Sequence, residues 1–219
     1  SVLRAAQKAG VRQVIFSSSC AIYGETQYLP IDEKHPCYPK SPYGVSKLAA
    51  ERYCLAMGQL DGMTITALRY FNVYGPREQH KGSMASVAFH LRNQVLAGEN
   101  PKLFGAYDGY EAGGQSRDFI YIEDLVNTKL WFLDNPQQSG IFNLGTGQAE
   151  PFRTIAETVI SYYRKGEIIY IPFPEHLKGA YQSFTQADIS LLRSSGYAGN
   201  FRGLAQGVTD YLTWLDSHG

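Results

Sequence analysis

Short apolar runs of four to six residues alternate along this chain with longer amphipathic stretches. Apolar runs bounded by Gly, Pro and polar residues are typical of buried strands, whereas apolar positions three and four apart over ten or more residues predict helices. The pattern predicts strands at 13–16, 64–69, 118–122, 141–144 and 168–171, and helices at 1–9, 42–57, 83–96, 124–133, 151–163, 187–194 and 204–215. Strands that alternate with helices indicate an α/β fold, with a doubly wound parallel sheet and a smaller α/β lobe.

The best-defined helix start is at Ser41 and Pro42, because serine is a favoured N-cap and proline a favoured first helical residue. Tyr43 and Lys47, four residues apart in this helix, share one of its faces. A neighbouring ammonium favours the phenolate form, so Tyr43 could act as an acid or a base near neutral pH. Ser19, at the carboxyl end of the first predicted strand, could hold a substrate oxygen as its proton leaves.

Composition and charge narrow the class of protein. The chain has 219 residues, of which 44% are hydrophobic, enough for a sizeable core. The 20 basic and 20 acidic side chains cancel, so no overall field attracts nucleic acid or an anionic membrane. We found no apolar run long enough to span a membrane and no signal-peptide pattern. Three cysteines without Cys-x-x-Cys pairing predict reduced thiols, no metal site and a cytoplasmic location.

Three motifs together resemble a known superfamily. They are Ser-Ser-Ser-Cys-Ala-Ile-Tyr-Gly at 17–24, Tyr-Gly-Val-Ser-Lys at 43–47, and Arg-Tyr-Phe-Asn-Val-Tyr-Gly-Pro at 69–76. They are similar to motifs of the extended short-chain dehydrogenases/reductases, the nucleotide-sugar epimerases and dehydratases. Residues 1 to about 70 look as much like UDP-glucose 4-epimerases as like any other branch.

The part after Asn72 resembles the ADP-L-glycero-D-manno-heptose 6-epimerases. This closer resemblance rests on His-Lys-Gly-Ser-Met-Ala-Ser at 80–86, Phe-Asn-Leu-Gly-Thr-Gly at 142–147, Pro-Phe-Pro at 172–174 and Leu-Lys-Gly-Ala-Tyr-Gln at 177–182. It implies the C-terminal half of a Rossmann-like dinucleotide-binding domain at 1–75. Residues 76–219 would then be mainly a substrate-binding lobe, with 118–147 returning to the Rossmann sheet.

The resemblance also assigns roles to residues. It implies catalysis by Ser19, Tyr43, Lys47 and Lys81, cofactor contacts from Tyr43, Lys47 and Val73, and substrate contacts from Asn72, Ser83, His90, Phe104, Arg117 and Tyr181. The implied cofactor is NADP or NAD, the substrate is a nucleotide sugar, and the assembly is a homo-oligomer. Several of these residues have other interpretations from sequence alone. Ser19 could be a turn serine that caps the strand end, and Lys81 could be a surface lysine on a polar loop. Arg117 suits a diphosphate but could pair with Asp118, and His90 could be a core residue.

Lys81 decides between reaction types. By resemblance it is a second acid/base on the side of the substrate opposite Tyr43, as expected where a hydride leaves one face of a carbon and returns to the other. Family members that eliminate water have Asp and Glu directly after the catalytic hydroxyl. Here those positions are Cys20 and Ala21, so a dehydratase is disfavoured.

The family's Gly-x-x-Gly-x-x-Gly turn, which holds the cofactor pyrophosphate, does not occur before the first predicted strand. We therefore expect the chain to be a fragment of a longer protein, inactive by itself, whose preference between NAD and NADP cannot be read. Two alternatives stay open. One is a UDP-glucose 4-epimerase or a relative with a single Tyr base, for which Lys81 is dispensable, and the other is a non-catalytic module.

Overall fold

The computed structural model describes residues 2–179 and 181–218, with the backbone alone at residues 60 and 61. Ser1, placed by the sequence in the first helix, and Ala180, part of the motif at 177–182, lie outside the described residues. The helices are α1 Val2–Lys8, α2 Pro42–Asp61, α3 Val87–Leu96, α4 Ile122–Asp134, α5 Phe152–Tyr163, α6 Ser190–Ser194 and α7 Leu204–His218. The strands are β1 Gln13–Ser19, β2 Thr64–Tyr70, β3 Asn72–Tyr74, β4 Lys102–Phe104, β5 Ser116–Tyr121, β6 Gly140–Leu144, β7 Ala149–Pro151 and β8 Ile169–Ile171. The predicted α/β class is confirmed.

The first of two compact units consists of Ser1–Phe71, Leu125–Gly147 and Ala187–Asn200. Its sheet has the order β1-β2-β6, and both pairings are parallel. Ser19 is paired with Tyr70, and Tyr70 with Leu144, so the carboxyl ends of the three strands lie at one edge. In open parallel sheets this edge is where ligands bind, because the loops that follow the strands diverge there.

The second unit consists of Asn72–Asp124, Gln148–Gln186 and Phe201–Gly219. In one sheet β5 lies between β3, to which it is parallel, and β7, to which it is antiparallel; in the other, β4 and β8 are parallel. Helix α5 packs against α3 and α7. The helices bury an apolar core that includes Leu91, Val95, Ile155, Val159, Val208, Tyr211 and Leu212.

The boundaries of the two units differ from the domain boundaries predicted from the sequence. Strand β5 belongs to the sheet of the second unit, whereas residues 125–147, with most of α4 and all of β6, belong to the first. Residues 187–200 also belong to the first unit, where Ala187 bridges to Ile31 and is buried. Strand β5 has β3 and β7 as neighbours in its own sheet, and hydrophobic periodicity does not reveal such pairing partners.

Most predicted elements are confirmed, with shifted boundaries. The helix expected over 42–57 continues through Gly58 to Asp61 and ends at Gly62, which has a left-handed backbone. Gly58 lies inside this helix and close to β2, since a Cβ there would lie 2.8 Å from Ile65 Cγ1. The helix expected from residue 83 begins at Val87, because Ser86 is its N-cap.

Other differences are at short elements. The helix predicted at 187–194 is confined to Ser190–Ser194. Strands β3, β4 and β7 were not predicted, because a strand of three residues shows no clear period. Strand β8 is equally short but lies in an apolar run, which predicted it. None of the helices in the described part of the chain is long and apolar enough to cross a membrane.

Candidate active site

The tyrosine of the Tyr-x-x-x-Lys motif lies in the first turn of α2. Ser41 has an extended backbone and its Oγ accepts a hydrogen bond from the Gly44 amide at 3.1 Å, which caps the helix as predicted. Pro42 is the first helical residue, and Tyr43 follows it. The Tyr43 side chain is 55% exposed. Its phenol is therefore accessible to a ligand and is not sealed within packing.

Lys47 links α2 to strand β1. Its Nζ donates a hydrogen bond to the Ser17 carbonyl oxygen at 3.0 Å and lies 5.7 Å from the centre of the Tyr43 ring. An ammonium has three N–H donors, so two remain for hydroxyls of a ligand or for the phenol oxygen. The Lys47 charge is thus fixed beside the Tyr43 ring at the carboxyl edge of the sheet.

Ser19 is the last residue of β1 and also caps the short 3₁₀ helix Cys20–Ile22, since its Oγ accepts from the Ala21 amide at 3.2 Å. A hydroxyl that accepts from an amide keeps its own proton to donate. Ser19 can therefore hold this turn and also donate a hydrogen bond to a ligand oxygen. Ser18, its neighbour, is buried, and its hydroxyl donates to a carboxylate instead, which separates the roles of these two serines.

Lys81 belongs to the second unit, in the 3₁₀ segment Gln79–Met84. Its side chain is 45% exposed, and its Nζ lies 3.8 Å from Oε2 of the buried Glu78. Glu78 also accepts hydrogen bonds from the amide and hydroxyl of Ser86 and so holds the start of α3. The loop that carries Lys81 is tied to α3 by this carboxylate, while the ammonium keeps access to solvent.

Phe104 and Tyr181, two of the candidate substrate contacts, belong to an aromatic cluster of the second unit. Their ring centres are 6.3 Å apart, and each ring makes an edge contact with Phe173. The Arg117 guanidinium lies 4.8 Å above the Tyr181 ring. Burial raises the pKa of Tyr181 above its ordinary value, although the charge of Arg117 opposes this. A cation beside a cluster of aromatic rings is suited to a planar base and to phosphate.

Phe173 and Tyr107 were not singled out by the sequence. Their rings stack at a centre-to-centre distance of 3.9 Å, and the Tyr107 hydroxyl accepts from the Gly179 amide at 2.8 Å. Phe173 lies within the Pro-Phe-Pro motif quoted above, which was a usable signal. In a chain with 16 tyrosines, nothing in the sequence distinguishes Tyr107.

The remaining candidates lie in the second unit but are not all in the aromatic cluster. Asn72 and Val73 are in β3, and Asn72 Oδ1 accepts from the Thr185 hydroxyl at 3.5 Å. Ser83 is exposed in the Lys81 segment. His90, in α3, has a buried Nε2 without a hydrogen-bond partner among the described residues. An unpartnered ring nitrogen can accept from or donate to a ligand, so the ligand role of His90 remains a prediction.

A parallel sheet whose carboxyl edge carries a serine and a Tyr-x-x-x-Lys helix is characteristic of the short-chain dehydrogenases/reductases. A comparison with known protein families supports this class. The model of the NAD dependent epimerase/dehydratase family matches residues 1–145. The chain belongs to the NAD dependent epimerase/dehydratase family.

Solved structures of sugar-nucleotide enzymes are similar to the whole chain. One is a UDP-N-acetylglucosamine 4-epimerase of Methanobrevibacter ruminantium, with 26% identity and a TM-score of 0.86 over 100% of this chain. The UDP-glucose 4-epimerase of Thermus thermophilus, in complex with NAD, has 28% identity and a TM-score of 0.81 over 100% of it. The Helicobacter pylori ADP-L-glycero-D-manno-heptose-6-epimerase has 29% identity and a TM-score of 0.83 over 99% of it. The chain spans 67%, 68% and 63% of these three proteins respectively.

The family implies a nicotinamide dinucleotide, and the residues of the first unit fit one end of it. The Lys47 ammonium has free donors for ribose hydroxyls, and the exposed Tyr43 phenol lies beside it at the ligand-binding edge of the sheet. The chain thus belongs to a family that depends on a nicotinamide dinucleotide.

Proposed function

We propose that this chain belongs to an enzyme that epimerises ADP-D-glycero-D-manno-heptose at C6 to the L-glycero form. The observation that carries the proposal is the exposed Tyr43 phenol beside the anchored Lys47 ammonium. A second exposed ammonium, Lys81, supplies the further acid/base that inversion at a carbon requires. The family and the similar solved structures support the general class, a sugar-nucleotide epimerase.

Tyr43 and Lys47 would hold the nicotinamide ribose, and a bound nicotinamide would supply the hydride chemistry that oxidises the sugar carbon and reduces it again. In the first half of the reaction Tyr43 takes the proton of the hydroxyl on that carbon, while Ser19 donates a hydrogen bond to the same oxygen. Lys47 holds its positive charge beside the Tyr43 ring and binds ribose hydroxyls. In the second half the transient carbonyl is presented by its other face, and Lys81 delivers the proton to its oxygen. Tyr43 then releases its proton to solvent and Lys81 takes one up from solvent, so both groups return to their starting states and the cycle is redox-neutral overall.

The residues that follow the candidate hydroxyl favour epimerisation over loss of water. Cys20 and Ala21 follow the candidate hydroxyl in the 3₁₀ turn, and neither side chain protonates a leaving hydroxyl effectively.

The further proposals are that Arg117 binds the diphosphate, that the aromatic cluster stacks on the base, that NADP or NAD is the cofactor, and that the enzyme is a cytoplasmic homo-oligomer.

The first prediction concerns Lys81. In the complete gene product that carries these 219 residues, Lys81→Met should lower kcat for the heptose nucleotide by ~10²–10⁴-fold, because one proton transfer loses its acid/base group. Initial rates on the ADP-heptose and on UDP-glucose are compared with those of Lys165→Met, which removes an exposed lysine outside the candidate site.

Unchanged turnover of the heptose nucleotide by Lys81→Met would contradict the two-base mechanism. Turnover of UDP-glucose by the unsubstituted protein, with no dependence on Lys81, would establish the single-base UDP-glucose 4-epimerase instead. That alternative has its own support, since UDP-sugar 4-epimerases are similar to the chain at 26–28% identity.

A further inference from the structure

A buried ion pair lies behind the candidate catalytic residues of the first unit. The Arg69 guanidinium donates from Nη2 to Glu51 Oε1 at 2.7 Å and from Nε to Oε2 at 3.1 Å. The Glu51 side chain is fully buried and that of Arg69 nearly so. Glu51 belongs to α2, whereas Arg69 belongs to β2. This two-bond arrangement fixes both the distance and the angle between helix and strand.

The carboxylate of Glu51 also reaches the strand that carries Ser19. Its Oε2 accepts a hydrogen bond from the Ser18 hydroxyl at 2.7 Å. Ser18 lies between Ser17, whose carbonyl accepts from Lys47, and Ser19. Two successive residues of β1 are therefore hydrogen-bonded to two side chains of α2 that are one helical turn apart.

Tyr43, Lys47 and Glu51 are spaced four residues apart and form one stripe along α2. Lys47 and Glu51 both bind β1, and Tyr43 is the next residue of the stripe toward the start of the helix. A translation of α2 along its axis by the rise of one residue would move the phenol about 1.5 Å. It would also break the bonds of Glu51 to Ser18 and Arg69.

The polar network continues beyond the ion pair. Arg69 Nη1 donates to the Tyr23 hydroxyl at 2.9 Å and to the Glu33 carbonyl at 3.0 Å. Tyr23 in turn donates to Asn143 Oδ1 at 2.5 Å. Burial raises the pKa of Tyr23, against the opposing charge of Arg69, so Tyr23 stays a neutral donor. The network gives the charges of Glu51 and Arg69 several defined partners and thus a single arrangement.

We propose that Glu51, bound to Ser18 and Arg69, is a positioning residue that sets the register of α2 against β1 and thereby places Tyr43 and Lys47 for catalysis. This inference rests on the proposed function, because it concerns the geometry of that reaction. A purely structural pair would affect folding alone, and apolar side chains of similar volume often replace buried ion pairs without loss of stability.

The test uses three variants of the complete gene product and one control. Ser18→Ala removes a single bond to Glu51, and Glu51→Gln removes the charge. The triple variant Ser18→Ala/Glu51→Met/Arg69→Met replaces the charged network by apolar groups. The control is Ile65→Ala. Ile65 of β2 lies in an apolar cluster with Cys54 of α2, so this change weakens packing between strand and helix but leaves the hydrogen bonds of Glu51 in place. Thermal unfolding, kcat, KM and hydrogen–deuterium exchange of residues 42–50 are measured for each.

We expect kcat to fall several-fold for Ser18→Ala and about 100-fold for Glu51→Gln and the triple variant, with KM changed less than threefold, because small misplacements of reacting groups have effects of this size. Hydrogen–deuterium exchange of residues 42–50 should be faster in these variants than in the unsubstituted protein, and unchanged in Ile65→Ala. A triple variant that unfolds at the temperature of the unsubstituted protein and keeps its kcat would overturn the proposal.

The exchange measurement separates this proposal from the proposed function. If the unsubstituted protein turns over no nucleotide sugar, the proposed function fails, while faster exchange at 42–50 in Ser18→Ala and Glu51→Gln alone still supports the positioning role. If exchange at 42–50 is the same in Ser18→Ala, Glu51→Gln and Ile65→Ala, Glu51 does not set the register of α2.

Discussion

Among single residues, Lys47 has two roles in the structure, and the sequence motif indicates only one of them. The four-residue spacing to Tyr43 indicates that the charge lies beside the phenol, and the structure places it 5.7 Å from the ring centre. The hydrogen bond to the Ser17 carbonyl has no counterpart in the motif, because it joins residues 30 positions apart. This bond explains how a flexible side chain is held in one place at the carboxyl edge of the sheet.

A second single residue, Glu33, leads to a prediction about how the stability of the protein depends on pH. Burial raises the pKa of its carboxyl above the ordinary value of 4.5, with a smaller contribution from Asp188, while the hydrogen bond from the Asn143 amide and the charge of Arg69 oppose the rise. The folded state therefore holds the proton to higher pH than the unfolded state. Stability from Glu33 is present below pH 4.5 and is lost as pH rises through the raised pKa.

Glu33→Gln should remove this loss and preserve the bond to Asn143, since the amide oxygen of Gln also accepts. The free energy of unfolding, measured with urea from about pH 4 to pH 8, should fall less with rising pH in the variant than in the unsubstituted protein. Glu25→Gln, at an exposed pair with Lys40, is the control and should not reduce that decline. Parallel curves for Glu33→Gln and the unsubstituted protein would contradict the assignment.

Among elements, α2 depends on a close approach at its first turn. A Cβ at Gly44 would lie 2.6 Å from the Ala21 carbonyl oxygen and 2.9 Å from Pro39 Cβ. Gly44 lets the start of the helix lie against the turn that follows Ser19. The glycine of the Tyr-Gly-Val-Ser-Lys motif is therefore a packing requirement, which sequence spacing alone does not reveal.

Gly44→Ala should force α2 away from the turn of Ala21. We expect a loss of ~1–3 kcal/mol in the free energy of unfolding, the usual cost of overpacking, even though alanine is the better helix former. Val45→Ala, at the adjacent exposed position, should change it by less than ~0.5 kcal/mol. Chemical denaturation measures the free energy of unfolding of both variants. Equal values for Gly44→Ala and the unsubstituted protein would show that the turn of Ala21 moves aside without loss of stability.

On the scale of the whole molecule, each compact unit is assembled from three separate stretches of chain. Residues 187–200 complete the first unit, although they follow a long segment of the second. Leu192, in α6, is fully buried there, and Asn143 Nδ2 donates to the Asp188 carbonyl at 3.3 Å. The first unit is therefore incomplete without a segment far downstream in the sequence.

Leu192→Ala should destabilise the first unit by ~2–5 kcal/mol, as expected when a buried leucine leaves a cavity. Its neighbour Leu191 is 42% exposed, so Leu191→Ala should cost much less. Amide exchange in β1, β2 and β6 reports on the first unit directly. Equal protection of these strands in both variants would show that α6 does not support this sheet.

The sequence by itself determined the α/β class, most helices and the Tyr43–Lys47 pair, because hydrophobic period and helical spacing are local properties. Only the tertiary structure decided that β5 lies between β3 and β7, that residues 187–200 belong to the first unit, and that Glu51 meets Ser18 and Arg69. These features join residues far apart in the chain, and their partners are selected by packing and by the need to satisfy buried polar groups.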